Sequence, residues 1–207
     1  MGDLMKGCIK TGIVGGTFNP VHNGHLTLAD TAYRMLGLDN VLFIPSGNSY
    51  MKRNVLAAEK RAEMVRLAIA PYPYFSLSRV ELERQGNSYT SETLEYLTEK
   101  NPNVQYFLIA GADSLFQMEK WRQPEKIFSL AKIVCAVRDT YDIEELRQKG
   151  ERLRNFGAEI IYLDMPKIDI SSTEIRTRVK RKLSIAEYVP AEVADYIRQE
   201  RLYYEED

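Results

Sequence analysis

The only two histidines of this 207-residue chain, His22 and His25, stand three positions apart in GIVGGTFNPVHNGHL, residues 12 to 26, just after a glycine pair. Gly15 and Gly16 let the backbone turn tightly and approach a ligand closely. A helix opening near His22 would offer unpaired backbone N–H groups and the positive end of its dipole. Those features together describe a phosphate site. A cationic histidine beside a helix N-terminus is disfavoured by the dipole, so a pair there makes sense when a bound polyanion favours their charged or donor form. The stretch is neither GxGxxG nor a Walker loop, which argues against an ordinary dinucleotide site or a P-loop. Zinc would need a third ligand; none is evident nearby, and HExxH is absent. The plain alternative is two helix-surface residues of no consequence.

A second candidate cradle, DISSTEIR, spans residues 169 to 176. Ser171, Ser172 and Thr173 could give hydroxyl and backbone donors to phosphates, and Arg176 a fixed cation. Ser171 and Glu174 also fit a capping box, a role that does not exclude the other. Asp113 follows the apolar run FLIAGA, where it could cap a helix or meet a ribose at a strand end. Trp121, the single tryptophan, lies in the polar context EKWRQPEK, which suits a stacking surface better than a core.

The segment TFNPVHNGH resembles the HxGH signature of the nucleotidyltransferase superfamily, and DISSTEIR resembles that superfamily's ISSTxxR. NSYTSETLEYL, FLIAGADSLFQMEKW and YVPAEVADYIRQERLY resemble segments of the bacterial nicotinate mononucleotide adenylyltransferases, and the similarity runs over nearly the whole chain. The resemblance implies a Rossmann-like enzyme that joins ATP to nicotinate mononucleotide, giving nicotinate adenine dinucleotide and pyrophosphate in NAD synthesis. It implies His22, His25 and Arg176 as catalytic residues. Gly15, Gly16, Thr17, Phe18, Gly111, Asp113, Ile170, Ser171, Ser172 and Thr173 would join them in holding ATP. Lys52, Tyr89, Thr90, Asp113, Trp121 and Arg138 would hold the mononucleotide, with the backbone around Thr90 receiving the nicotinate carboxylate and Trp121 stacking on the pyridine ring. Mg²⁺ would arrive with ATP, since no carboxylate cage of the protein's own is visible. The attacking 5′-phosphate oxygen is already anionic, so no catalytic base is required. The family's PPHK-like segment is replaced here by IPSGNSYMKRN, which keeps Lys52 but lacks the proline pair and the histidine; Lys52 or Arg53 could stand in as flexible cations. Related acceptors, such as nicotinamide mononucleotide, and a non-catalytic nucleotide sensor are the alternatives.

The elements that must position these residues are legible as alternating patterns. IKTGIV, NVLFIP, YFSLSRVEL, VQYFLIA, KIVCAVR and EIIYL read as strands. GHLTLADTAYRML, with Leu26, Ala29, Tyr33 and Leu36 on one face, AEKRAEMVRLAIA, with Met64, Leu67 and Ala68, and SETLEYLTEK read as helices. Alternation of this kind predicts an α/β fold, a doubly wound parallel sheet with ligands beyond the carboxyl ends of its strands. We expect residues 1–170 to form the α/β domain and 171–207 a small C-terminal helical appendage packed on it. Capping boxes at Ser171/Glu174 and Ser184/Glu187 and a first-turn proline at Pro190 would start its helices.

Length and composition agree with one domain: 44% hydrophobic and 28% charged residues suffice for a buried core. A formal net charge of -1 supplies no global basic field, so a nucleic acid polymer is not expected as partner. The N-terminus lacks signal-peptide features and no apolar stretch approaches membrane-spanning length, so the chain reads as cytoplasmic, with no membrane association. Cys8 and Cys135 make no metal spacing and are expected to be buried thiols. A homo-oligomer is open, because the tyrosine-rich end RLYYEED could equally be an interface or a frayed tail.

Overall fold

Apolar residues on both faces of the strands dictate a sheet covered on both sides. In β1 (Ile9–Gly16) Ile13 packs into one core and Val14 into the other; in β4 (Val104–Gly111) Leu108 and Ile109 divide in the same way. With β2 (Asn40–Pro45), β3 (Phe75–Leu77), β5 (Ala131–Val137) and β6 (Ile160–Asp164) these strands form one sheet in the order β3-β2-β1-β4-β5-β6, every pair parallel. The computed structural model describes residues 8–47, 55–137, 143–165 and 169–204.

Helices α1 (Asn23–Leu36) and α2 (Ala58–Ile69) cover one face together with α7 (Ser172–Lys180) and α8 (Ala191–Gln199). Helices α3 (Thr90–Lys100), α4 (Ala112–Gln117), α5 (Pro124–Leu130) and α6 (Ile143–Arg154) cover the other. The doubly wound Rossmann-like class is therefore observed. Strand order reverses between β1 and β4, and a crevice opens there beyond their carboxyl ends. The motifs after β1 and after β4 flank this switch point.

Ile175 and Val179 of α7, Val193 and Ile197 of α8, and Leu202 beyond it all enter the same buried cluster as Val14 and Phe43. The described part of the tail is thus anchored to the core, with Tyr204 exposed beyond it. Leu202 is buried, and the Tyr203 hydroxyl donates to Asn19 Oδ1 at 2.8 Å.

Several expectations need correction. The third strand spans only three residues, because β2 pairs with it over Val41–Phe43 alone and the chain then turns away into a loop. Ser171 does cap α7, its hydroxyl accepting the Glu174 N–H at 3.1 Å, but no helix starts at Ser184. The Ser184 hydroxyl accepts the Ala186 N–H at 3.3 Å, a local turn that satisfies the same donors a cap would. Pro190 stands one position before α8 as its N-cap rather than in its first turn. Cys135 is buried and its thiol pKa is pushed up to about 12 by desolvation, whereas Cys8 is exposed, with its S–H directed at the Asn103 carbonyl. Among the described residues no helix is long and apolar enough to cross a membrane.

Candidate active site

Two cavities of about 460 and 570 Å³ open at the switch point. Gly15, Gly16, Thr17, His25 and Asp113 line both. The first continues to Tyr89, Thr90, Gly111 and Trp121, and the second to Phe18, His22, Ile170, Ser171, Ser172, Thr173 and Arg176. Every expected site residue among the described ones therefore borders one crevice; Lys52, Arg53 and Arg138 lie outside the described residues. A Cβ added at Gly15 or Gly111 would meet nothing within 4 Å, so the ends of β1 and β4 leave open space for a ligand against bare backbone.

His22 is the N-cap of α1 and His25 its third residue. The His22 backbone N–H donates to His25 Nδ1 at 3.2 Å. With Nδ1 accepting, the ring proton of His25 sits on Nε2, which makes that atom a hydrogen-bond donor. The two imidazoles lie 3.7 Å apart between centroids and tilted by 33°, side by side at the helix start. The Phe18 ring meets His25 edge-on at 5.1 Å, and Phe18 itself takes φ +50, an uncommon conformation for a bulky residue.

The expectation of free N–H groups at this helix start is corrected. Asn23 donates to the Tyr188 carbonyl and His25 to the His22 carbonyl, so the first-turn donors are largely satisfied by the protein itself. The side chain of His25, through its Nε2–H, is then the donor this helix start can offer a ligand in the crevice.

The second motif reaches the first directly. The Ser172 hydroxyl donates to the Pro20 carbonyl at 2.8 Å, and Arg176 Nη1 donates to the Asn19 carbonyl at 2.9 Å. The Ser172 hydroxyl proton is thus committed to the loop after β1. Ser172 and Thr173 open α7 and border the second cavity.

Sequence reasoning missed the wall formed by the loop before α3. Glu81 accepts from the Thr93 hydroxyl at 2.8 Å and from Ser88, while Arg84 donates to Thr93 Oγ1 at 3.1 Å. The Gly47 N–H donates to Ser88 Oγ at 3.0 Å, and a Cβ on Gly47 would stand 2.1 Å from the Glu81 carbonyl oxygen, so only glycine fits this junction. Isolated polar residues in a loop carry no period, and nothing in SRVELERQGNS marks Glu81 as partly buried.

Burial raises the Glu81 pKa, opposed in part by the Thr93 and Ser88 hydroxyls and by the charge of Arg84. The folded chain then holds that proton more tightly than the unfolded chain. This contribution to stability is complete below the unfolded pKa and is lost as pH rises through the folded one. Glu81→Gln removes the dependence. In urea unfolding measured across pH, the variant should gain on the wild type from about pH 4.3 upward and then level off; a difference independent of pH would refute the assignment.

Comparison with known proteins agrees with this geometry. Residues 13–178 match the family model described as cytidylyltransferase-like. A Lachnoclostridium phytofermentans protein named "Probable nicotinate-nucleotide adenylyltransferase" is 41% identical over 197 residues, covering 94% of this chain and 98% of its own length. A Clostridium botulinum protein of the same name is 40% identical over 200 residues, covering 95% of this chain and 99% of its own. Among solved structures, Plasmodium falciparum nicotinic acid mononucleotide adenylyltransferase complexed with NaAD aligns with a TM-score of 0.79 at 19% identity, over 94% of this chain and 97% of that one, a likeness of fold.

Proposed function

The chain belongs to the cytidylyltransferase-like family, and from that premise we propose that it transfers the adenylyl group of ATP to nicotinate mononucleotide, releasing pyrophosphate and forming nicotinate adenine dinucleotide. It is a nicotinate-nucleotide adenylyltransferase of NAD biosynthesis. The observation that carries this reading is the pair of cavities with a shared wall at Gly15, Gly16, Thr17, His25 and Asp113. An enzyme that joins two nucleotides needs two adjoining subsites whose common border is where the bond forms.

In this reading the triphosphate lies over His22, His25, the start of α7 and Arg176. The mononucleotide occupies the cavity bordered by Tyr89, Thr90 and Trp121. Its 5′-phosphate oxygen attacks the α-phosphorus of ATP, a new P–O bond forms, and the bond to the β-phosphate breaks with its electron pair leaving on pyrophosphate. The nucleophile is already an anion, so the protein contributes alignment and charge stabilisation rather than a base. The His25 Nε2–H and the Arg176 guanidinium stabilise the negative charge that builds on the transferring and leaving groups. Asp113 lies on both cavities and is suited to accept from a ribose hydroxyl.

Among the described residues no group of three or more His, Cys, Asp or Glu could hold a metal ion. A divalent cation, Mg²⁺ in our reading, would arrive with ATP and lie beside His22, His25 and Arg176, where it would supply positive charge against the phosphates. ATP and a free mononucleotide as substrates are compatible with a reaction in the cytoplasm.

The test is pyrophosphate release by the purified protein with ATP, Mg²⁺ and either nicotinate or nicotinamide mononucleotide. The expected outcome is release with a strong preference for nicotinate. A preference for nicotinamide would move the acceptor, and no release with either would overturn the reading.

A further inference from the structure

We propose that Arg61, outside both cavities, is a positioning residue for the transfer: from within the protein it fixes peptide planes in both loops that border the crevice, the one after β1 and the one after β2. This inference rests on the adenylyl-transfer reading above.

Arg61 lies on the apolar face of α2 with Met64, Val65 and Ala68 and is only 1% exposed. Among the described residues it has no carboxylate partner. Its guanidinium donates instead to four backbone carbonyls: Nε to Leu56 at 2.9 Å, Nη1 to Thr17 at 2.7 Å, and Nη2 to Ser46 at 2.7 Å and Gly47 at 3.1 Å. Burial lowers its pKa from the ordinary arginine value, a sign of what its charge costs there. Leucine or methionine would pack this helix without that cost. What neither could do is join three separate segments through one planar fork of donors.

The segments it joins explain its use. In a trans peptide the C=O and the following N–H point in opposite directions. Drawing the Thr17 and Ser46 carbonyls toward Arg61 therefore turns the N–H groups of Phe18 and Gly47 away from it. At Gly47 the consequence is visible: its N–H donates to Ser88 Oγ, so one peptide unit is clamped between Arg61 and the loop that walls the mononucleotide cavity. At Phe18 the unfavourable φ of +50 is held from both sides, by Arg61 on the Thr17 carbonyl and by Arg176 on the Asn19 carbonyl. Phe18 in turn sets the ring of His25.

The experiment compares wild type, Arg61→Lys and Arg61→Met, each confirmed folded by circular dichroism and assayed well below its own Tm. Both variants should lose on the order of tenfold or more in kcat, because small displacements of reacting groups are costly. Lysine should rescue little, since it restores charge without the fork. A residue that served only folding would lower Tm and leave kcat per folded molecule unchanged, and that result overturns the proposal. Should neither variant fold, the wild type with ¹⁵N-labelled arginine decides: the Arg61 Nε–H resonance should shift on adding ATP with Mg²⁺, and a resonance indifferent to saturating ATP overturns the proposal. Pyrophosphate release by the wild type is measured alongside. Its absence would count against the adenylyl-transfer reading, whereas an active wild type with unimpaired variants would count against Arg61 alone.

Discussion

His25→Ala lowers kcat by about 100- to 1,000-fold, the effect of removing one donor to charge that develops in the transition state, while the variant remains folded and binds both substrates. The expectation follows from where the ring's proton sits. His25 Nδ1 is occupied by the His22 backbone N–H, which commits Nε2 to donating, and the Phe18 ring edge limits how the imidazole can rotate. The donor is therefore oriented before ATP arrives, so little reorganisation remains for the chemical step. Because in the proposed site several groups would share the ground-state phosphates, the loss should appear in kcat more than in either KM. Removing Nδ1 also leaves the His22 N–H without that acceptor, so stability should fall by about 1 kcal/mol, the usual cost of a lost helix-start bond. Single-turnover measurement at saturating substrates isolates the step; unchanged turnover would remove His25 from the mechanism.

The strands that could be read directly are those buried on both faces. NVLFIP and VQYFLIA needed no alternation to be recognised, because both faces of β2 and β4 are covered by helices and their apolar runs are continuous. The edge of the sheet was less legible. YFSLSRVEL suggested a long strand because β-prone residues continue past Leu77, yet pairing ends at Phe43 although β2 runs on to Pro45, and the chain turns away to become the wall that carries Glu81 and Ser88. Helices α4 and α5 are 6 and 7 residues long, too short for a period to emerge above noise.

The candidate site was legible in its motifs but not in its supports. His22, His25, the ISST segment and Trp121 stand out by type and spacing. What holds them comes from contacts 152 to 184 residues apart: Ser172 to Pro20, Arg176 to Asn19, Tyr203 to Asn19. Local pattern cannot specify such partners. Arg61 did leave a signal, since it falls three and seven positions before Met64 and Ala68 on the face expected to be apolar. A charge on an apolar stripe asks what satisfies it, and here the answer was backbone carbonyls that have no sequence signature. The C-terminal segment is accordingly part of the site's foundation: Glu187 and Tyr188 receive hydrogen bonds from Asn23 at the start of α1, and α7 clamps the loop before it.

Trp121→Ala should raise KM for nicotinate mononucleotide by roughly 10- to 100-fold, in line with the 1–3 kcal/mol of base–aromatic stacking, and leave KM for ATP within about a factor of two. Trp121 follows the 3-10 turn Met118–Lys120, packs partly against the core that includes Leu115 and Ile127, and borders the cavity with Tyr89, Thr90 and Gly111. Part of its surface therefore anchors the ring while another part borders the cavity, an arrangement that fixes a stacking platform in advance. The neighbouring Arg122 lies over the Tyr89 ring at 4.5 Å and pairs with Glu92 at 3.6 Å, which ties this wall to the start of α3. Because α3 opens at Thr90, a pyridine ring resting on Trp121 would bring its carboxylate toward the positive end of that helix, where a neutral carboxamide gains less. The chain has one tryptophan, so its intrinsic fluorescence reports on this position alone. Titration with nicotinate mononucleotide should quench the emission, and ATP by itself should change it little. Phenylalanine at 121 should recover most of the affinity that alanine loses, since it keeps an aromatic face. A kinetic defect confined to ATP, or emission insensitive to the mononucleotide, would move the pyridine ring to another wall of the cavity.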